Sequence, residues 1–563
     1  MDDRMKRKLT GISDFPIFLT IMLAAFSIRI FGAAKINFTA SEAAYVMGLN
    51  QSHLYTQSLI QDFINAVASG LPVYSPLGYR LGAVIAGSFF VFMPFFMRKK
   101  IGTLTALICA FFFAIDPFLI ANSILITGNT FVLVAVGFFV IGWLTENDVL
   151  LSVSLLILPI LGRGLTYLFV ATLATLLTTD TLSFFWGRVK SGICKLISQD
   201  NSRQGFILGA LLLALLFVTV SAKLDIFVAD VSRFATGLFS DFMPENMPFL
   251  YLIALFAYVP LGLFIVLVMK VSNSNLLSRN INWLMLWTML LFLLIMFYPE
   301  HQILDLLWIS IPFWIIGAPY LAEFLPDLLN LYKKNLLFII LLAIGFVNLF
   351  LAFLSLFYKI EFGLPNIGVL ISVLSVIALI VVLLIYWGFL KGSKTATKGL
   401  MGVIFCFLFA YQLANVNRTV GISVNPEHEL FWNGYYPDKA LVDKLIQTTI
   451  ANQFGTVTKI RIWVEDEIKP DVYWDYGTEN IIFQIADECP NDEFRVFLTK
   501  SEDTCVSEAL YLGQKFVAKS YPIWTRNPVM SLTQTDFWSW LFIRKSQPYQ
   551  AYNYLWLKTE PLE

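Results

Sequence analysis

The sequence predicts a polytopic α-helical membrane protein of about 13 transmembrane helices, followed by a C-terminal extracytoplasmic α/β domain. Three observations predict it. Of 563 residues, 58% are hydrophobic and only 14% are charged, where soluble domains carry about 25% charged residues. Mean hydropathy is +0.71. The apolar residues gather into long runs between residues 13 and 415, and the residues between the runs sort by charge. The formal net charge is zero, so bulk electrostatics favours no nucleic-acid partner.

The predicted spans, in order, are 13–33, 81–97, 101–115, 129–144, 149–161, 165–179, 204–222, 248–270, 282–297, 303–320, 335–357, 368–389 and 399–415. A span needs about 20 apolar residues. The stretches 101–115, 149–161 and 165–179 fall short of that, which predicts kinked or re-entrant pairs. Arg163, between Gly162 and Gly164, marks one such break. The first span is long and no small-residue cleavage site follows it, so it reads as a retained signal anchor.

The connecting charges orient the spans. The N-terminus holds Arg4, Lys6, Arg7 and Lys8, and alternate connections after it are also basic. They carry Arg98, Lys99 and Lys100; Arg188, Lys190, Lys195 and Arg203; Lys270 and Arg279; Lys333 and Lys334; and Lys391, Lys394 and Lys398. The other connections hold Lys35, Arg80, Arg163, Lys223, Arg233 and Lys359, a ratio of eighteen cations to six. Cytoplasmic loops carry the excess of Lys and Arg. The N-terminus is therefore predicted cytoplasmic, and an odd number of spans puts the C-terminal tail outside. Domain boundaries follow: 1–415 is the transmembrane domain with a large first outer loop at 34–80, and 416–563 is the extracytoplasmic domain.

Residues 416–563 carry most of the acidic residues. Segment 438–453 has helical spacing, and 458–466, 480–487, 493–500 and 514–524 alternate as strands do. The tail 536–558 is rich in Trp and Tyr. It reads either as a helix and strand completing this domain's core or as an aromatic anchor at the lipid interface. Cys109 and Cys406 fall in spans and Cys194 in a cytoplasmic connection, so these three should be free. Cys489 and Cys505, both exported and close in sequence, are expected to form a disulfide.

No Walker loop, dinucleotide fingerprint, nucleophile elbow or HExxH is present, which argues against an ATP-driven pump. His53, His301 and His428 are scattered, so no histidine metal site is expected. The informative segment is the first outer loop. Glu42, in Ser41-Glu42-Ala43-Ala44-Tyr45, places a carboxylate just outside the first span, suited to take a proton from an acceptor hydroxyl. The alternative is a capping box with Thr39 at the N-cap and Glu42 at N3.

The layout resembles the GT-C superfamily of polyprenyl-phosphate-dependent glycosyltransferases, in the protein-mannosyltransferase-like, aminoarabinose-transferase-like and flippase-associated branches. The residues that carry the resemblance are the Ser41–Tyr45 motif, the segment Asp116-Pro117 to Ser123, the outer end of a late span at Tyr298-Pro299-Glu300-His301-Gln302, and the terminal pattern WSWLFIRK…YNYLWLK. The family's first motif has Asp-Glu-Ala, where Ser41 stands first here. Its second has Arg and Asp, where Ile124 and Asn129 stand.

The resemblance implies an inverting transfer. Glu42 takes the proton of an acceptor hydroxyl or amide, the acceptor attacks the anomeric carbon, and the polyprenyl phosphate leaves, held by Arg163, His301 or Arg80. Arg233 is a further cation on that side. Asp116, Asn129 and Glu300 are further candidates there. For Arg163 the plain alternative is a broken-helix residue paired to a carbonyl. For His301 it is an interfacial cap, and for Asp116 the start of a helix. Asp62 and Glu245 read as solvated loop charges.

The implied partners are a polyprenyl-phosphate sugar, membrane lipid and an acceptor that is protein, lipid or glycan. A divalent cation suits this chemistry, although the sequence offers no clear ligand set. Ser41, Ile124 and Asn129 favour instead a catalytically silent subunit that holds lipid or a partner in a membrane complex. A secondary transporter fits less well, because internal repeats and mid-span charges are scarce.

Overall fold

Proline and glycine decide where the apolar runs bend. The computed structural model describes residues 14–35, 42, 76–126, 129–161, 172, 175, 182–198, 248–271, 279–297, 303–361, 367–420, 438, 441, 442, 444, 445, 460–464, 481–485, 496–500, 511–522, 535–544 and 548–558. The chain divides into two compact units, residues 1–35 with 56–423, and residues 36–55 with 424–563.

The first unit is helical. Helix α1 is Phe15–Lys35, α2 is Pro76–Phe92 and α3 is Pro94–Ile101. Helices α2 and α3 meet at Met93 and run as one apolar stretch, Leu77–Ile101. At Gly102, φ is +91°, a conformation that costs other residues steric strain. It lets α4 (Thr103–Ala114) start at once in a new direction. Pro117 then opens α5 (Pro117–Ile124), bent 54° from α4.

Helices α6 (Asn129–Leu144) and α7 (Asp148–Leu161) form a hairpin, and α8 (Leu182–Ser198) packs on it. Helices α9 (Pro248–Tyr258) and α10 (Pro260–Val271) are bent 89° at Val259-Pro260, and α11 is Arg279–Phe297. A 3-10 turn at Ile303–Leu306 leads into α12 (Leu307–Lys334), which continues through Pro312, Pro319 and Pro326. Helices α13 (Leu336–Glu361), α14 (Ile367–Lys391) and α15 (Ser393–Thr419) complete the unit, with Gly392 (φ +93°) at the last turn.

Six of these helices are long and apolar enough to cross a membrane, or up to eight if each bent pair is one span. The expectation of 13 spans is therefore not reached among the described residues. The predicted spans 165–179 (save Thr172 and Thr175) and 204–222 lie outside them. Helix α6 has 16 residues, about 24 Å at the helical rise, short of a hydrocarbon core of about 30 Å. The opposite difference appears at 303–320, because the helix that begins there continues to Lys334.

Packing separates inner from peripheral helices. The ring of Phe112 on α4 stacks on Trp314 of α12 at 4.4 Å. On α13 and α14 only 17% and 11% of the apolar window is buried, so their exposed Leu, Ile and Val side chains face lipid. Phe338, Leu342, Ile380 and Val403 join α13, α14 and α15 along their inner sides.

The second unit contains a five-stranded sheet of β1 (Ile460–Val464), β2 (Ile481–Ile485), β3 (Val496–Thr499), β4 (Tyr511–Pro522) and β5 (Pro548–Lys558), in the order β2-β1-β3-β5-β4. Strand β1 runs parallel to β2 and β3, and β5 pairs antiparallel with β3 and β4. Helix α16 (Thr535–Ile543) precedes β5. Each of the four predicted strands starts within three residues of an observed one. The aromatic tail packs inward: Trp540 is fully buried, and Trp556 lies against Trp463 and Phe497 with its indole N–H donating to Thr499 Oγ1 at 3.0 Å. Cys109, Cys194 and Cys406 are free, as expected. Cys489 and Cys505 lie outside the described residues.

Candidate functional site

Four helices of the first unit carry an ion pair at one end and a buried polar group toward the other. At the first end Asp14 meets Arg98 at 3.9 Å, Lys100 meets Glu146 at 3.4 Å, Asp148 meets Arg188 at 2.9 Å and Asp327 meets Lys398 at 2.7 Å. Each pair joins segments that the charge pattern assigns to one side of the membrane. Arg29 on α1, Asn129 on α6, Ser310 on α12 and Gln412 on α15 sit well along the same helices from that end.

The buried groups serve the helix breaks. Proline lacks an N–H, so at Pro117 the carbonyl of Phe113 loses the donor that a continuous helix supplies. The fully buried Arg29 replaces it: Nη2 donates to Phe113 O at 3.1 Å, Nε to Ser123 Oγ at 3.2 Å and Nη1 to Ala25 O at 3.1 Å. Leu119 N–H turns to Asp116 Oδ1 at 2.7 Å, and Gln412 Nε2 donates to the carbonyl of Ile115 at 3.4 Å. Asp116 is thus the N-cap of α5. It also accepts from Ser310 Oγ at 3.3 Å and from the indole N–H of Trp314 at 2.8 Å. A buried carboxylate persists where donors of this kind satisfy it.

The strip continues along α5. Asn122 Nδ2 donates to Phe118 O and to Leu304 O, both at 2.9 Å. Asn129 Nδ2 donates to Asn122 Oδ1 at 3.0 Å and reaches Asp305 Oδ1 at 3.4 Å. All eight residues of α5 are buried. At the second break, Asn415 Nδ2 donates to the carbonyls of Ala257 (2.8 Å) and Tyr258 (3.3 Å), which the 89° bend releases from the helical ladder. Gln412 and Asn415, three residues apart on α15, therefore serve one break each.

Of the residues proposed from sequence, Asp116 and Asn129 come together around α5. The alternative reading of Asp116 as a helix start holds, with the addition of its two donors from α12. Arg80 is fully buried on α2, and its Nη1 donates to Ala33 O at 3.1 Å near the end of α1. Glu42 is fully buried in the second unit. Arg163, Glu300 and His301 lie outside the described residues. Among the described residues no group of three metal-ligating side chains converges.

Reasoning from the loops missed Arg29, Asp305, Trp314, Gln412 and Asn415. The signal available for four of them was a charge or an amide inside an apolar run, Asp305 lying in the run 303–320. Arg29 lies in the first run, and Gln412 and Asn415 lie in the last.

No family model matches the chain, and no curated protein matches it. Among solved structures, ArnT from Cupriavidus metallidurans bound to undecaprenyl phosphate is similar at a TM-score of 0.48 and 10% identity, over 83% of this chain and 85% of that one. ArnT from the same organism in the apo state is similar at a TM-score of 0.46 and 11% identity, over 84% and 86%. The chain's own apolar helices make it an integral membrane protein.

Proposed function

We propose that the protein is a membrane glycosyltransferase that moves a sugar from a polyprenyl-phosphate donor to an acceptor on the outer face of the membrane. The observation that carries this reading is Glu42. It is a fully buried carboxylate in the connection after the first span, within the motif that resembles the GT-C superfamily. Its burial sets it apart from solvated loop charges and suits a positioned base. Within that superfamily the first-loop motif and the terminal aromatic pattern favour the protein-mannosyltransferase-like or flippase-associated branch.

In this scheme Glu42 accepts the acceptor's proton as the new bond to the anomeric carbon forms. The bond from that carbon to the phosphate oxygen breaks, and the configuration inverts. Arg163, His301 and Arg80 are the cations proposed to hold the departing polyprenyl phosphate. Asp116 and Asn129 hold the broken helix α5 in place, and Glu300 is a further candidate from the sequence.

The test is release of sugar from labelled polyprenyl-phosphate sugars by purified protein and by Glu42→Ala. Loss of a general base costs about 10²- to 10⁴-fold in rate, and that loss is the expected result. Full activity in Glu42→Ala would remove Glu42 from the mechanism.

A second reading is a catalytically silent subunit that binds lipid or a partner in a membrane complex. One observation favours it beyond Ser41, Ile124 and Asn129. Both oxygens of Asp116 already accept hydrogen bonds from Leu119, Ser310 and Trp314, so this carboxylate is used in holding the fold. Lipid bound without turnover across the whole donor panel would select this reading.

A further inference from the structure

We infer that α8 is an interfacial helix that seats Trp186 and Ile193 in the acyl boundary of the leaflet at the ion-paired end, and draws an anionic phospholipid headgroup to Lys190. The contacts of α8 advance across the α6–α7 hairpin. Phe185 meets Phe139 and Trp143 of α6 at 6.2 and 6.1 Å between ring centroids. Arg188 then donates to the carbonyls of Trp143 and Gly142, both at 3.2 Å, and pairs with Asp148. Next, the carbonyl of Val189 accepts from Ser152 Oγ of α7 at 3.1 Å. Helix α8 thus packs on the start of α7, while Phe185 and Arg188 reach the end of α6, so it sits at the closed end of the hairpin.

The outer side of α8 is left open and is itself two-sided. Trp186 is 66% exposed and Ile193 is 37% exposed. At about 3.6 residues per turn, positions seven apart share a face, so these two side chains form one apolar line. Lys190 lies a short step round from that line. It is exposed and forms no ion pair among the described residues. Ser183, Gly187 and Cys194 follow farther round, and a side chain at Gly187 would meet nothing within 4 Å. Apolar, basic and small polar strips follow in that order, as acyl chain, headgroup and water do, and beyond them Phe184, 61% exposed, sets its ring edge-on to Trp143 at 6.1 Å.

The choice of an anionic headgroup rests on charge. Arg188 is committed to Asp148 and Lys100 to Glu146; Lys190 on α8 and the exposed Lys99 on α3 form no ion pair among the described residues, and the exposed Lys333, Lys334, Lys391 and Lys394 add to the positive charge of this end. Basic side chains beside a span attract anionic lipid. Neither α8 nor its leaflet takes part in the transfer proposed above.

The experiment uses the full-length protein in vesicles doped with brominated lipid, with Trp186→Phe as the reference for the Trp186 signal. In wild type, brominated phosphatidylglycerol should quench the Trp186 component more strongly than brominated phosphatidylcholine at equal mole fraction. The local enrichment expected for one lysine is roughly fivefold. Lys190→Gln should remove the preference while leaving quenching by phosphatidylcholine in place. Identical quenching curves for wild type and Trp186→Phe would overturn the proposal, since the face would then meet water or protein. Equal quenching by the two lipids in wild type would overturn it as well.

Discussion

At the scale of single residues, the polar side chains inside the first unit replace hydrogen bonds that the helix breaks removed. Asn415 is the clearest case, since one amide nitrogen serves two carbonyls at the sharper bend. Replacing it with leucine keeps the volume and leaves both carbonyls without that donor. Unsatisfied buried groups cost about 1–3 kcal/mol, and hydrogen bonds between membrane helices average somewhat less. Asn415→Leu should therefore lower stability by about 1–2 kcal/mol, read as a lower midpoint in denaturant unfolding of the purified protein. An unchanged midpoint would show that another group reaches those carbonyls. Asp116 differs in kind. Asparagine there puts a donor beside the donors Leu119, Ser310 and Trp314, so the loss would come from mismatch as well as from missing charge.

Among elements, α5 is the piece whose placement depends on its neighbours. It is eight residues long, too short to be stable alone. Its Ser123 fits against α2 only because residue 87 is glycine, since a Cβ there would collide with Ser123 Oγ and Cβ. Gly87→Ala should push α5 away from α2 and disturb the bond from Arg29 to Ser123. Overpacking of this kind costs about 1–3 kcal/mol. Thermal unfolding should fall accordingly, and if Gly87→Ala melts like wild type, α5 does not pack as described. Helices α13 and α14 provide the contrast. Their largely exposed apolar surfaces tolerate one apolar side chain for another, because lipid is as apolar as either.

For the molecule as a whole, the two ends differ in chemistry. One carries ion pairs and the basic connections, and the other carries the helix breaks and their buried polar network. The positive-inside rule predicts that the basic end is cytoplasmic. Cys194 is exposed on α8, about 80° round the helix from Trp186. A membrane-impermeant maleimide should label it in inverted vesicles and leave it unlabelled in right-side-out vesicles, with Cys194→Ser as the control. The reverse pattern would turn the chain over and put the helix breaks inside, where the proposed outward-facing transfer could not use them.

The sequence by itself determined where the apolar helical stretches lie and how charge sorts between them, because these depend on local composition and on which bonds a bilayer leaves available. The predicted run 129–144 coincides with α6, and the strands of the second unit follow from alternation along the chain. Only the tertiary structure decided what the polar residues within those runs do. Arg29 and Phe113 are 84 positions apart, and Trp314 and Asp116 are 198 apart. No periodicity links such pairs, since they meet at the bend before Pro117, whose direction depends on the helices packed around it.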